Sequence, residues 1–292
     1  MVEELERRGF ATALVPVTNN GLVDLEALAG LIGPDTLLVS VMGANNEVGV
    51  VQPLVAVANL AHAQGALVHS DLAQLAGKLP LNVVALDLDY ASLSAHKLYG
   101  PMGVGALYIS GLSGLRPQPI VFGGGQEGGL RAGTLPTPLI VGFGAAAGRA
   151  RDALAHDAAT QGRLAERLLD GLARRQVRYV QNAQGAPRLP GSLSLRFRGV
   201  DADALVGRLS EKVCLSTGSA CSSGQINASH VLRAMSLSEV DAASTIRIYI
   251  NIYLSDSEID YAVECLSSVL QEIEPCGWTD APVGSLHEID PR

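Results

Sequence analysis

A chain of 292 residues, 48% hydrophobic and only 17% charged, can bury a sizeable core and lies far from the composition of disordered chains. Its net charge of −8 argues against broad electrostatic binding to nucleic acid or an anionic membrane. The longest apolar runs are broken by Gly, Pro, Asp or Gln well short of a membrane span, and no charged-then-apolar segment opens the chain, so a cytoplasmic protein is expected.

The first residues, Val2 to Arg8, read as a short amphipathic helix ending at Gly9. A strand is expected over Ala11–Val17, then a turn at Thr18-Asn19-Asn20-Gly21 and a helix from Leu22 to Ile32. Thr36 to Met42 reads as a fully buried strand, and Leu54 to Ala63 as a helix closed by Gly65. Strands at 66–70, 88–94 and 104–109 continue an alternation of strands and helices, which predicts a mostly parallel sheet covered by helices. Gly123-Gly124-Gly125-Gln126-Glu127-Gly128-Gly129 is glycine-rich, but it has neither the Gly-x-Gly-x-x-Gly spacing after a strand nor a Walker lysine. A long helix from about Leu139 to Arg175 bridges to a smaller α/β part. That part holds an alternating, half-buried strand at Ser192–Phe197, a helix from Asp203 to Leu209 and an amphipathic helix from Ser257 to Ile273. After Pro275 no periodicity remains, and the tail is expected to be mobile.

Two strands release polar groups at their C-terminal ends: Ser70-Asp71-Leu72-Ala73-Gln74 after the first, and Ser94-Ala95-His96-Lys97 after the second. In a parallel sheet both ends lie along one edge, where ligands bind. A lysine among small and hydrogen-bonding residues suits a Schiff-base nucleophile, and a carboxylate suits holding a pyridinium nitrogen protonated. Asp71 taken alone reads better as a helix N-cap; paired with Lys97 on the same sheet edge it points instead to pyridoxal phosphate, with Gln74 reaching the phenolic oxygen. His96 fits a phosphate donor or a loop histidine, and Asn45-Asn46-Glu47 a turn or a ligand contact. Arg247, a lone cation in a β-branched run, requires a carboxylate partner, either from the protein or from a substrate.

Four cysteines without a Cys-x-x-Cys pair make no disulfide framework, and with His69, His96 and His230 they match no structural zinc pattern. Cys214, Cys265 and Cys276 sit in or beside apolar or helical segments and are expected to be buried. Cys221 lies in Ser216-Thr217-Gly218-Ser219-Ala220-Cys221-Ser222-Ser223-Gly224, an exposed, loop-like setting for a nucleophilic thiol. No strand–turn–nucleophile motif surrounds it, which sets aside a Cys–His hydrolase.

In this order, these residues resemble the cysteine desulfurases, fold-type-I pyridoxal phosphate enzymes of the class V aminotransferase group. The resemblance runs from about Met1 to Ser267. It is carried by Ala44-Asn45-Asn46-Glu47-Val48-Gly49, His69-Ser70-Asp71 with Gln74 and Gly77-Lys78-Leu79-Pro80, Ser94 to Pro101, Arg131 to Pro136, and Ser216 to Ser223. It implies a three-layer α/β/α fold, with a cofactor-binding large domain over 1–150, a small domain carrying the cysteine loop over 151–276, and a tail over 277–292. It further implies Lys97 as the Schiff-base lysine, Asp71 on the ring nitrogen, Asn46 and Gln74 on the phenolic oxygen, and Ser94 and His96 on the phosphate. Thr134 would reach the phosphate of a neighbouring subunit in a homodimer. Arg247, beside Asn46, would hold the carboxylate of L-cysteine, and Cys221 would take its sulfur as a persulfide, leaving alanine. A sulfur acceptor, commonly an iron–sulfur scaffold protein, would receive that sulfur.

The sequence departs from the pattern at several points. Relatives carry, upstream of the region matching Met1, a Thr-bearing phosphate loop and a histidine that stacks on the cofactor ring. Neither stands in this sequence, so an N-terminally shortened enzyme of weak or absent activity is expected. Gly128 stands where relatives carry Arg, Ala95 where they carry Gly, and Ile248 to Tyr253 replace a smaller Ser- and Gly-containing run. Two alternatives stand beside the desulfurase: another class V enzyme (a selenocysteine lyase, an aminotransferase or a β-lyase), or a non-catalytic paralogue.

Overall fold

The computed structural model describes residues 2–111, 116–217 and 229–273. The first unit runs, in chain order, through helices α1 (Val2–Arg7) and α2 (Leu25–Leu31), strand β1 (Leu38–Ser40), helix α3 (Leu54–Ala63) and strands β2 (Leu67–Asp71), β3 (Tyr90–Ser94) and β4 (Gly105–Ile109). The sheet order is β1-β2-β3-β4, with the first three strands parallel and β4 antiparallel to β3. The crossover from β1 to β2 is the helix α3, and that from β2 to β3 runs through the turns of residues 72–89; between β3 and β4 the chain forms only a 3-10 turn, too short for a crossover.

Val39, Val68 and Ala91, on successive strands, pack against Leu54, Val57, Ala58 and Ala61 of α3 and Leu28 of α2. Asp24 starts α2, its carboxylate accepting from the backbone N–H of Glu26 and Ala27. The opposite face is more open: Leu38, Asp71 and Leu107 are all exposed. This corrects the expectation of a fully buried strand at 36–42, for β1 is covered on one face among the described residues. The strand expected over 11–17 is likewise reduced to a single bridge between Val17 and Val23.

Helix α4 (Thr137–Arg174) spans the molecule. Near its start Ala146 and Ala150 lie against the first unit, where Cβ atoms added at Gly100 and Gly77 would meet them at 3.3 and 3.2 Å. Further along, Leu164, Leu168 and Leu172 enter a second core. That core belongs to an antiparallel sheet, β5-β6-β8-β7, made of β5 (Val180–Gln181), β6 (Ser192–Arg196), β7 (Ser216–Thr217) and β8 (Thr245–Tyr249). Helices α5 (Ala202–Leu209) and α8 (Asp256–Ile273) pack on it, with the short α6 (His230–Ala234) and α7 (Glu239–Ala243) beyond β7.

β6 is buried over four of its five residues rather than half-buried. Its hydroxyl side explains the polar alternation: Ser194 accepts a hydrogen bond from Asn182 instead of facing water. Helices α4 and α8 approach closely at Gly171, where a Cβ would lie 2.7 Å from Val263. Cys265 is buried on α8 as expected, but Cys214 is exposed. The apolar flanks of Cys214 did not decide its burial, because it lies on the irregular chain entering β7.

His62 on α3 is held between two carboxylates, Nδ1 at 3.0 Å from Asp87 and Nε2 at 2.9 Å from Asp89. Asp89 also accepts from the Val68 N–H at 2.8 Å, so this cluster ties α3 to β2 and the start of β3. Both ring nitrogens can donate only in the imidazolium. Burial works against that charge, but the hydrogen bonds to Asp89 and Asp87 outweigh it and raise the pKa above 6.5. A folded pKa above the unfolded one contributes stability that is complete below about pH 6.5 and lost as pH rises through the folded value. The stability advantage of the natural chain over His62→Gln, measured by urea unfolding across a pH series, will therefore shrink as pH rises from about 6.5 through the raised folded pKa. A constant difference across that range would show the ring to be neutral.

Candidate active site

β2 and β3 pair in parallel with Asp71 opposite Ser92, so both chains leave the sheet at one edge. Asp71 is the last residue of β2, and its carboxylate accepts from the Ala73 N–H at 2.9 Å. This is a turn, not the helix N-cap that its sequence also allowed. Leu72 is fully buried beneath it and holds the turn in place.

From β3, Ser94 leads into the 3-10 turn Ala95–Leu98. Ala95 and Leu98 are buried as plugs, leaving His96 and Lys97 exposed between them. The Ser94 hydroxyl lies 2.9 Å from His96 Nδ1. Gly77, at φ +73°, lets the Asp71–Lys78 turn touch this one, since a Cβ there would lie 3.0 Å from the Leu98 Cβ. Tyr99 takes a left-handed conformation, φ +65°, that closes the turn. That geometry is uncommon for a bulky side chain. Its ring is held edge-on to Tyr253 at 5.4 Å, and its hydroxyl accepts from the Ile252 N–H at 3.4 Å.

Beyond β1 the chain continues along β2, the Gly43 N–H donating to the Asp71 carbonyl at 2.7 Å. The Asn45 side-chain oxygen then accepts from the N–H groups of Glu47 and Val48 at 2.8 and 3.0 Å, fixing a turn with Asn46 at its bend. Arg247 of β8 crosses from the second sheet: its Nη1 donates to the Asn46 carbonyl at 3.2 Å and its Nε to the Ser216 hydroxyl at 3.0 Å. Among the described residues its Nη2 carries no hydrogen bond, which leaves a corner of the guanidinium for another acceptor. The structure thus brings Asn46, Asp71, Gln74, Ser94, His96, Lys97 and Arg247 to one edge. Thr134 is exposed on the segment before α4, outside these contacts. Cys221 and Cys276 lie outside the described residues.

Two buried charged residues, Glu47 and Lys78, flank this edge. Glu47 is 6% exposed, and its carboxylate accepts from the Ser229 hydroxyl at 2.5 Å. Burial raises its pKa, against the opposing hydrogen bond from Ser229 and the positive charges of His230 and Arg247. Ser229 in turn caps α6 through the Leu232 N–H. Ser216 and Ser229, on either side of residues 218–228, are therefore both bonded to this site. Lys78 is also 6% exposed and bonds to Gln74; burial, then the charge of Lys97, lower its pKa to about 8. The sequence signal for both was a single charge inside an otherwise small or apolar run. His69 lies 2.8 Å from the Ser40 hydroxyl, its pKa lowered by burial against the pull of Asp71.

Residues 1–262 match the model of the aminotransferase class-V family. A cysteine desulfurase IscS of Rickettsia typhi is 41% identical over 269 residues, 92% of this chain and 65% of that protein. Among solved structures, a NifS-like protein superposes with a TM-score of 0.84 at 36% identity, covering 93% of this chain and 71% of that one. SspA, solved in complex with cysteine, gives a TM-score of 0.72 at 34% identity, covering 87% and 70%. The chain belongs to the class V aminotransferases, a pyridoxal phosphate-dependent family of fold-type-I α/β proteins. It spans about two-thirds (65%) of the length of the curated relative it matches.

The residues present fit that cofactor by the chemistry of their donors. Lys97 offers an exposed amine for the aldehyde, and Asp71 a carboxylate for the pyridine nitrogen. Asn46 and Gln74 supply amide donors for a phenolic oxygen, and Ser94 with His96 a hydroxyl–imidazole pair for a phosphate.

Glu47→Ala leaves the Ser229 hydroxyl buried without its acceptor and should cost about 1–3 kcal/mol. Glu47→Gln keeps an acceptor and should cost less than half of that. Urea denaturation of the two variants measures the difference; equal losses would show that charge, not the hydrogen bond, is what matters.

Proposed function

We propose that this protein is a cysteine desulfurase: it removes sulfur from L-cysteine, releases L-alanine and carries the sulfur as a persulfide on Cys221. The observation that carries the reading is Arg247 reaching across to the Asn46 carbonyl. It sets a carboxylate-binding cation beside an edge furnished with an amine, a carboxylate and two amides. The relationship to a desulfurase and to a cysteine-bound structure supports the same substrate.

Pyridoxal phosphate, when bound, supplies an electron sink for negative charge on the substrate carbon. Lys97 would hold it covalently and would supply the amine that moves the substrate's α-proton. Asp71 would keep the ring nitrogen protonated. Arg247 takes the substrate carboxylate with the corner that Asn46 and Ser216 leave open, which fixes the orientation of the bound cysteine. The Cys221 thiolate attacks that sulfur. An S–S bond forms as the substrate's Cβ–S bond breaks, and the electron pair left on carbon takes a proton to give alanine.

The sulfur then passes to an acceptor, an iron–sulfur scaffold being the partner this chemistry fits. We assign the protein to the cytoplasm, where thiols stay reduced. Among the described residues no helix is long and apolar enough to cross a membrane. In the same reading residues 1–150 hold the cofactor and 151–276 carry the cysteine loop. Two copies pair so that the exposed Thr134 of each reaches the other's phosphate.

Purified protein supplied with pyridoxal phosphate and L-cysteine should form alanine and a Cys221 persulfide, both detected by mass spectrometry. Lys97→Ala should abolish both products. Arg247→Gln should raise the KM for cysteine by about 10- to 100-fold through loss of a charge-assisted bond, with the fold checked by circular dichroism. Full turnover by Cys221→Ala would rule out persulfide chemistry and favour another class V reaction.

A further inference from the structure

Lys78 is an ammonium 6% exposed to solvent, and no step above uses it. Its Nζ donates to the Gln74 carbonyl at 2.9 Å and to the Gln74 side-chain oxygen at 3.1 Å. The ring of Tyr249 covers it, with the centroid 5.4 Å away. Among the described residues no carboxylate forms an ion pair with it, and the charge it feels most is the like charge of Lys97. Removing an ammonium from water without a counter-ion costs several kcal/mol. A surface lysine could cap the same turn at far less cost, so capping alone does not account for the burial.

What an ammonium does that no neutral group does is distinguish the two ends of an amide. It has three donors and no acceptor, so it can meet only the oxygen of the Gln74 side chain. That fixes the amide's orientation, which is otherwise free to flip, and turns the two Nε2 hydrogens away from Lys78. The positive charge also polarises the amide, making those hydrogens better donors. Gln74 stands three residues past Asp71 on the turn that packs against the Lys97 turn through Gly77. We propose that Lys78, covered by the Tyr249 ring, is a positioning residue that locks the Gln74 amide with its N–H donors toward the edge that carries Asp71 and Lys97.

The inference rests on the reading of this edge as a pyridoxal phosphate site, so it is tested both without and with the cofactor. In the protein alone, the Gln74 side-chain amide, assigned in ¹⁵N spectra through Gln74→Glu, should show dispersed proton shifts. In Lys78→Met, which keeps the volume and removes the donor, those shifts should collapse to the values of a free glutamine. With pyridoxal phosphate added, Lys78→Met and Gln74→Leu should each weaken binding by about tenfold, the worth of one charge-assisted hydrogen bond. The double variant should be no worse than either single one, since both remove the same interaction.

Lys78→Met with a lowered melting temperature but unchanged Gln74 shifts and cofactor affinity would reduce Lys78 to a turn cap and overturn the proposal. Additive losses in the double variant would overturn it as well. Failure of the underlying reading looks different. The natural chain and Lys97→Ala would then show the same absorbance on adding pyridoxal phosphate, while the amide shifts of the protein alone still decide whether Lys78 orients Gln74.

Discussion

Because β2 and β3 run parallel and set Asp71 opposite Ser92, the two chains must leave the sheet on the same side. Every polar group that follows them is then delivered to one edge, without any loop having to fold back across the sheet. The hydrophobic core fixes that register. Val68 and Ala91 point into the layer beneath, and a slip of one residue would expose them and bury Asp71. Leu72 below the first turn and Ala95 with Leu98 below the second repeat the logic at closer range: apolar plugs are driven in, and the residues between them have nowhere to go but out. Exposed Lys97 is thus a consequence of its buried neighbours.

The second sheet meets this edge through few but specific contacts. Arg247 bonds Asn46, Ser229 bonds Glu47, and the segment at Gly49 to Val51 pairs with 187–189. The fit is close, for a Cβ on Gly49 would come within 2.5 Å of the Ser192 hydroxyl. Val48, Val50, Leu232 and Met235 form a small apolar cluster beside these bonds, which keeps water from competing for them. The motif from Ala44 to Gly49 is therefore bound on both sides. It holds Asn46 to the first sheet through Asn45 and Gly43, and to the second through Arg247 and Glu47.

Much of this could be read from the chain alone. The helix over Leu54–Ala63 has the bounds its pattern gave, and α4 and α8 fall within two residues of theirs. These are long or strongly periodic segments in which local pattern and tertiary packing agree. Short apolar runs behaved differently. Residues 11–17 have the composition of a strand but find no partner beyond one bridge, and 36–42 carry apolar residues on both faces while one face meets water. Composition reports what a segment could bury; whether a partner layer arrives is a non-local matter. The site divides in the same way. Asp71, Gln74 and Lys97 were legible because their chemistry is unusual at strand ends, whereas Lys78 and Glu47 acquire meaning only from what encloses them.

The run from Ile248 to Tyr253, where this chain parts from the desulfurase pattern it resembles, ends β8 and continues past it. Side chains alternate along β8, so Ile246 and Ile248 enter the core of the second sheet, followed by Ile250, while Arg247 and Tyr249 face the first unit. The isoleucines on this run thus concern packing behind the sheet and leave Arg247 facing the first unit. Tyr249 is the change that reaches the site. Its ring closes over Lys78, while its hydroxyl accepts from Gln161 at 3.1 Å. Burial, and then Tyr99, keep that hydroxyl protonated well above the usual phenol range. A second tyrosine on the run, Tyr253, holds Tyr99 two residues beyond Lys97. A small residue at 249 would leave Lys78 open to water and this link between the lysine turn and β8 unmade. The departure therefore tightens the wall beside Arg247.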